Sequence, residues 1–553
     1  MTRARKTDSN DKEVQGQIAF GLIKTVTFLC LIIPLFHQMR VNGYSLFNSD
    51  GLTLIGLTGL YTLISVTLLR SIIPFLWPLF VAIHLTLLID FFLPNGGDVR
   101  PTLMYIFIGA TAILWILRSL PLLLCSVFLT GFWLTDFLAQ TPTPISIEDR
   151  HAPAADSKQV ADINPSPIIH IILDAFTAPA TLEKEQKYTA DAIRASFLDR
   201  GFILYDQAFS RYDNTAASLS TLMNSAAPQA PKNLYTVPAS GFEISLTNNA
   251  LIEQMNKSGR TAYIFQTNYM DFCAGLSQVK CRTFSKNHMA RPPLLEGLSL
   301  MERMGMITLI TAAQSRLLTD GKYLLRKYEI INLPQVRPPA SYQIQNTAVS
   351  GFLKAVPNHS YILIHSLMSH APYAVDKNCQ ITPPTQWAND MQPRNVEERK
   401  TAYGHYAHQL SCSMKTVQEW LDLILTSPLG QRATIIIQGD HGSRLSQTPP
   451  SEATQSTFSR QNIADHYPAL FAVRYPDSQK TDQKVNTSYA TDRLFHHHVV
   501  CGHKGTLVGK TDSIIFLRGK DGGPYVAYDW HQGKPSKAED IIKDSCQTSK
   551  NNR

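Results

Sequence analysis

Two patterns of apolar residues divide the chain. Over the first 140 positions, apolar runs of membrane length alternate with short polar breaks: Ile18–Phe36, Leu52–Leu69, Ile72–Leu93, Thr102–Leu117 and Leu120–Leu138. These read as five membrane-spanning helices. Only Arg70-Ser71 and Arg118-Ser119 separate spans two from three and four from five, which predicts tight antiparallel hairpins. Met1–Gly16 is polar and reads as a mobile tail. Ala139–Pro167 has scattered prolines and charges without a period and reads as a linker.

From residue 168 the runs shorten to strand length. Ile168–Leu173, Phe202–Tyr205, Thr261–Gln266, Tyr361–Leu367, Thr434–Ile437, Ala469–Arg474 and Ser513–Leu517 read as strands. Helical stretches fall between them at Leu182–Leu198, from about Thr215, at Leu298–Tyr328 with a break near Asp320-Gly321, and at Arg399–Leu425. In the third of these, Leu300, Met304, Ile307, Leu309 and Ile310 can pack on the domain core or on the membrane surface, and the core is the preferred reading. Such alternation predicts a mostly parallel sheet with helices on both faces. The expected organisation is a tail (1–17), a five-helix transmembrane bundle (18–138), a linker (139–167) and an exported α/β domain (168–553).

Charge supplies the orientation. The formal net charge of +8 is spread out, with no arginine-rich arm or basic-aromatic stripe, so nucleic acid is not an expected partner. With the N-terminus inside, the inner segments hold Arg3, Arg5, Lys6, Lys12, Arg70 and Arg118, against Arg40 and Arg100 outside. The positive-inside rule then makes the tail cytoplasmic and exports everything after the fifth span. Lys24 and His84, inside spans, are read as snorkelling or bundle-facing groups. Of eight cysteines, Cys30 and Cys125 lie in apolar segments and none shows C-x-x-C spacing. Export predicts disulfides among the other six, with Cys273–Cys281, Cys379–Cys412 and Cys501–Cys546 as the local pairings.

Candidate chemistry clusters at predicted strand ends. The segment IIIQGDHGSR, Ile435–Arg444, runs from a buried strand into Asp440-His441-Gly442. An acid beside an imidazole, next to a glycine that lets the chain turn, is half of a divalent-metal site. Asp174 closes the strand Ile168–Leu173. In SRYDNTAASLSTLMNS, Asp213 or Asn214 can cap a helix whose first turn carries Thr215. By itself Thr215 reads as another cap residue, and Asp440-His441 as a solvated pair in a turn. Together, Asp174, Thr215, Asp440 and His441 make a ligand set suited to one Zn or Mn ion, and a hydroxyl touching such an ion becomes a competent nucleophile. His370, just past another strand end, is a candidate phosphate or leaving-group contact.

The order of these motifs (strand then acid, T-A-A-S-L, S-H-A-P-Y, D-H-G) resembles the alkaline phosphatase/sulfatase superfamily. With five spans in front, it is similar to the membrane-anchored branch containing lipoteichoic acid synthases and phosphoethanolamine transferases. The resemblance covers residues 18 to about 475. It implies Thr215 as nucleophile, preferred over Ser218 or Thr221, with Asp174, Asp440 and His441 as its partners on the metal. It also implies His370 as a phosphate contact. The sequence departs from that branch at Asp174, where glutamate is usual, and at Tyr212-Asp213-Asn214, in place of a Cys-Gly-Thr lead-in. His466 is a candidate second-shell or second-metal residue, and His496-His497-His498 with His503 a further histidine cluster.

The implied activity is transfer of phosphoethanolamine or phosphoglycerol from a phospholipid donor to a hydroxyl of an envelope glycan or glycolipid, through phospho-Thr215. It would take place on the periplasmic face of a bacterial inner membrane. Asp174 keeps a phosphodiesterase or phosphatase of the same fold open, and a non-catalytic envelope scaffold is a third reading. A sulfatase is disfavoured, because neither Cys273-Ala274-Gly275 nor Cys281-Arg282 supplies the C-x-[PA]-x-R signature.

Overall fold

The computed structural model of the chain describes residues 2–42, 44, 47–72, 74–92, 100–117, 119–138, 150–151, 166–225, 231–237, 242–276, 278–284, 298–312, 315, 318, 342–382, 386–388, 395–446, 448–476, 478, 483–520 and 523–536. Five N-terminal helices are present: α1 (Thr2–Val41), α2 (Ser49–Ile72), α3 (Trp77–Phe92), α4 (Arg100–Leu117) and α5 (Ser119–Leu138). The stretches Gly16–Arg40 and Ser49–Leu69 are long and apolar enough to cross a membrane, while Trp77–Phe92, Thr102–Ile116 and Pro121–Gly131 are shorter apolar helices. Their outer faces expose Leu60, Tyr105, Ile116 and Phe128. An apolar exterior of that kind suits a hydrocarbon solvent.

The segment read as a mobile tail is instead helical from Thr2. Its Arg, Lys, Ala, Glu and Gln residues are good helix formers, and adding turns to an existing helix costs little.

The α/β region is built on strands β1 (Arg150–His151), β2 (Ile168–Leu173), β3 (Ile203–Tyr205), β4 (Tyr235–Thr236), β5 (Ile244–Leu246), β6 (Thr261–Thr267), β7 (Met270–Asp271), β8 (Val279–Phe284), β9 (Ser360–Ser366), β10 (Thr434–Gly439), β11 (Phe471–Arg474), β12 (Lys484–Val485), β13 (Ile514–Leu517), β14 (Val526–Asp529) and β15 (Lys534–Pro535). Nine of them form one sheet in the order β1-β8-β6-β9-β2-β10-β11-β3-β12. Its centre, β8-β6-β9-β2-β10, is parallel, and β1, β11 and β3 add antiparallel pairings at the flanks. The strand β1 lies inside the predicted linker and pairs with β8. β4-β5-β7 and β13-β14-β15 form two small sheets.

The isoleucine-rich β2 and β10 are buried on both faces, as central parallel strands must be. Register sets the site: Gly439 pairs with Leu173, and Leu173 with Ser366. All three strands therefore end at one level, and Asp174 and Asp440 emerge side by side.

Helices α6 (Pro179–Leu198), α7 (Thr215–Asn224) and α8 (Ala250–Lys257) pack near this sheet. The next helix, α9 (Leu300–Ala312), corrects an expectation. Its Met304, Met306, Ile307 and Ile310 join Ile23, Val26, Leu29 and Ile33 of α1 in one apolar cluster, not the core of the α/β domain. Ala374, Ile381 and Trp387, from the segment after His370, belong to the same cluster. An amphipathic stripe announces that a face is buried without naming what buries it. Arg303 on α9 also pairs with Asp50 of α2 at 2.9 Å, and Ser315 donates to Asp90 of α3 at 2.6 Å.

Cys273–Cys281 and Cys379–Cys412 are disulfides, and Cys30 and Cys125 are free thiols. Cys501 is disulfide-bonded, while Cys546 lies outside the described residues.

Candidate metal centre and active site

Two glycines let the D-H-G turn form. A Cβ at Gly439 would stand 2.1 Å from the Phe176 carbonyl oxygen, and one at Gly442 would stand 2.6 Å from that of Asp465. Gly442 N–H donates to the His466 carbonyl and Arg444 N–H to that of Asp465, at 2.9 and 2.7 Å. The turn is thus laced to the helix Arg460–His466. That helix is anchored in turn by Asp465, fully buried, which takes two hydrogen bonds from Arg399 at 2.7 and 2.9 Å and one from Tyr403.

Asp440 Oδ1 accepts from the N–H groups of His441 and Ala175, both at 2.9 Å. Oδ2 is buried and accepts no hydrogen bond among the described residues. Asp174 is held by its N–H on the Ser366 carbonyl at 2.9 Å and by the Ser369 hydroxyl on its own carbonyl at 2.5 Å. The next residue, Ala175, has φ +57, a left-handed conformation that costs a non-glycine residue energy. Tyr406 holds it by donating to its carbonyl at 2.6 Å.

Thr215 is the first residue of α7. Asn214 caps that helix by accepting from Ala217 N–H at 3.0 Å. Asp213 is fully buried, and burial alone would raise its pKa. The Arg518 guanidinium at 3.0 Å and the Asn214 amide outweigh burial and hold it below the usual carboxylate range.

These supports bring four predicted residues together. Thr215 Oγ1 donates to Asp174 Oδ2 at 3.2 Å and lies 3.2 Å from His441 Nε2. His441 Nε2 is 3.5 Å from both Asp174 Oδ1 and Asp440 Oδ2. Ligand atoms of Asp174, Asp440 and His441 all fall within 4.8 Å of one another, and all three residues are buried. His441 Nδ1 sits 2.8 Å from the Gly442 carbonyl, which can only accept, so the neutral ring carries its proton there. Nε2 then offers a lone pair to the cluster. Burial lowers the His441 pKa and keeps the ring neutral, as a metal ligand must be.

Two buried aspartate side chains converge on a neutral imidazole, and the buried Asp440 Oδ2 has no hydrogen-bond partner among the described residues, an arrangement that a divalent cation would satisfy. The oxygen and nitrogen donors suit Zn or Mn. The residues present therefore fit the expected metal.

His370 is half-buried on the loop after β9, its Nδ1 2.6 Å from the Ala371 carbonyl, next to the Ser369 that holds Asp174. His466 is buried beside the D-H-G turn, neither ring nitrogen has a hydrogen-bond partner among the described residues, and burial pushes its pKa to about 4. The histidine cluster divides. His498 spends Nε2 on the Tyr205 hydroxyl at 3.0 Å and Nδ1 on the Tyr475 hydroxyl, a structural role, while the rings of His497 and His503 lie 4.9 Å apart, tilted by 36°.

Sequence reasoning missed Asp465, Arg399, Ser369, Tyr406 and the Asp213–Arg518 pair, which act through contacts distant in the chain. It also passed over Arg444, already quoted in IIIQGDHGSR. Arg444 lies two residues past Gly442, with its backbone N–H bound to the Asp465 carbonyl.

No family profile matches the chain, and no curated protein matches it significantly. Solved structures similar to it include the C-terminal periplasmic domain of EcEptC from Escherichia coli, at 12% identity and TM-score 0.40 over 68% of this chain and 95% of that one. The lipoteichoic acid synthase LtaP from Listeria monocytogenes matches at 12% and 0.35 over 69% and 88%. The phosphonate monoester hydrolase of Agrobacterium radiobacter matches at 10% and 0.39 over 64% and 80%. These neighbours are members of the alkaline phosphatase/sulfatase superfamily.

Proposed function

We propose that the chain is a membrane-anchored, metal-dependent phosphotransferase. It moves phosphoethanolamine or phosphoglycerol from a phospholipid to a hydroxyl of an envelope glycan or glycolipid. The observation that carries this reading is the convergence of the Thr215 hydroxyl with Asp174 and His441 at 3.2 Å inside a buried acidic cluster. Asp174, Thr215, Asp440 and His441 would hold the metal. When bound, it would lower the pKa of the Thr215 hydroxyl and polarise the phosphoryl group.

The side chains contribute the rest. Asp174 orients the Thr215 hydroxyl by accepting its hydrogen bond. In the first half-reaction a bond forms from Thr215 Oγ1 to phosphorus, and the bond from phosphorus to the diacylglycerol oxygen breaks. That oxygen leaves protonated, with His370 the candidate donor. The start of α7 offers first-turn N–H groups and a positive field to the phosphoryl oxygens, and Arg444 adds a full charge. Asp174 takes the Thr215 proton in that first step. In the second half-reaction a glycan hydroxyl attacks the phosphorus and gives its proton to the now neutral His370, while Thr215 Oγ1 departs and recovers its proton from Asp174.

The apolar helices and α9, which joins their cluster together with the segment after His370, support a lipid donor. The two disulfides support an oxidising compartment, hence a periplasmic domain on an inner-membrane anchor. A phosphodiesterase, with water in place of the glycan, remains the second reading because Asp174 has a shorter arm than the glutamate of the transferases.

Purified protein incubated with headgroup-labelled phospholipid, with and without glycan, separates the two. Transfer predicts label on the glycan and little free headgroup. Free headgroup released equally fast in both reactions would leave hydrolysis as the activity.

A further inference from the structure

A cavity of about 360 Å³ opens between the start of α6 and the segment Arg460–Pro468. None of the four residues of the centre lines it, yet it shares their supports. Tyr467 follows His466, and its carbonyl accepts from the N–H of Ser210, whose own hydroxyl lies 2.9 Å from that of Ser218 on α7.

Phe209 and Trp530 meet edge to face at 6.1 Å and form an aromatic corner, and Ile463 closes the wall. The Trp530 Nε1–H is buried and has no acceptor among the described residues. A buried donor without an acceptor is costly, so an acceptor on a ligand would be favoured there. The rim is positive. Lys184 and Arg460 are exposed, and neither has an ion-pair partner among the described residues. Glu185 lines the cavity too, but it already faces Arg399 at 3.5 Å.

We infer that this cavity binds a sugar unit carrying an anionic group. An aromatic corner suits the apolar face of a pyranose. The indole N–H and the Gln207 amide meet ring hydroxyls, and Lys184 and Arg460 meet the acid. The volume lies in the range of small-molecule sites. On the transferase reading proposed above, this would be the subsite that seats the acceptor glycan. The binding itself stands or falls separately, because it is measured without donor or turnover.

The test titrates full-length protein in detergent with glucuronate, glucose and octanoate, with binding followed by calorimetry. Glucuronate should bind, and glucose and octanoate should each bind roughly tenfold more weakly or not at all. Trp530→Phe, which keeps the ring and removes the donor, should weaken glucuronate by roughly fivefold to tenfold. The pair Lys184→Gln and Arg460→Gln, on exposed side chains that cannot unfold the domain, should weaken it by more than tenfold. Three results would overturn the inference: no binding of glucuronate, glucuronate binding indifferent to these substitutions, or octanoate binding as tightly as the sugar acid.

Discussion

Thr215 Oγ1 stands 3.2 Å from Nε2 of His441 across 226 residues of chain, while the other nitrogen of that ring is committed to the Gly442 carbonyl at 2.8 Å. The ring therefore has one tautomer available and one direction in which to offer its lone pair. A cation placed among Asp174, Asp440 and His441 would touch the hydroxyl as well, so metal content and nucleophile reactivity should rise and fall together.

Chelation should lower both activity and melting temperature, and stoichiometric Zn or Mn should restore both, because a ligand that binds only the folded state stabilises it. Asp440→Asn keeps the side-chain oxygen that accepts from Ala175 and His441 but removes a negative charge. Elemental analysis should find its metal content at least tenfold lower under limiting metal. Full metal occupancy in Asp440→Asn would contradict this assignment.

Acid should destabilise the α/β domain over a defined window. His170, in β2, is fully buried, and burial pushes its pKa down to about 3. The unfolded value is about 6.5. Above that both states are neutral. Below it, down to about 3, the unfolded chain takes a proton that the folded chain refuses, so stability falls as pH drops through the window. His365, pushed to about 4 by burial, acts in the same sense. Melting temperature should fall from pH 6.5 toward pH 4 and fall less steeply in His170→Gln.

Asp465 touches no reacting atom on this account, yet its loss should be severe. Asp465→Ala strips Arg399 and Tyr403 of their acceptor and loosens the helix to which the D-H-G turn is laced. Removing one partner of such a pair costs roughly 3–5 kcal/mol. Urea unfolding should show that loss in both Asp465→Ala and Arg399→Ala, with turnover falling alongside stability.

Much of the site was legible because its residues close apolar runs. Asp174 and Asp440 follow isoleucine-rich strands, and in parallel pairing two strand ends in register bring such acids together. Thr215 was legible as the first residue after a cap. The supporting pairs left no such trace: Asp213 and Arg518 are 305 residues apart, and Arg399 and Asp465 are 66 apart. No local period encodes a contact of that kind. The partner of α9 was hidden for a related reason, since its stripe fits a domain core and a membrane bundle equally well. The short strands β4, β5 and β7 carry too few residues for an alternation to register.

The most direct measurement is peptide mapping by mass spectrometry of protein quenched after exposure to phospholipid without acceptor. The account predicts a phosphoethanolamine or phosphoglycerol adduct on Thr215, absent from Thr215→Ala and discharged when glycan is added. An adduct on Ser218 or Thr221, or undiminished turnover by Thr215→Ala, would contradict it.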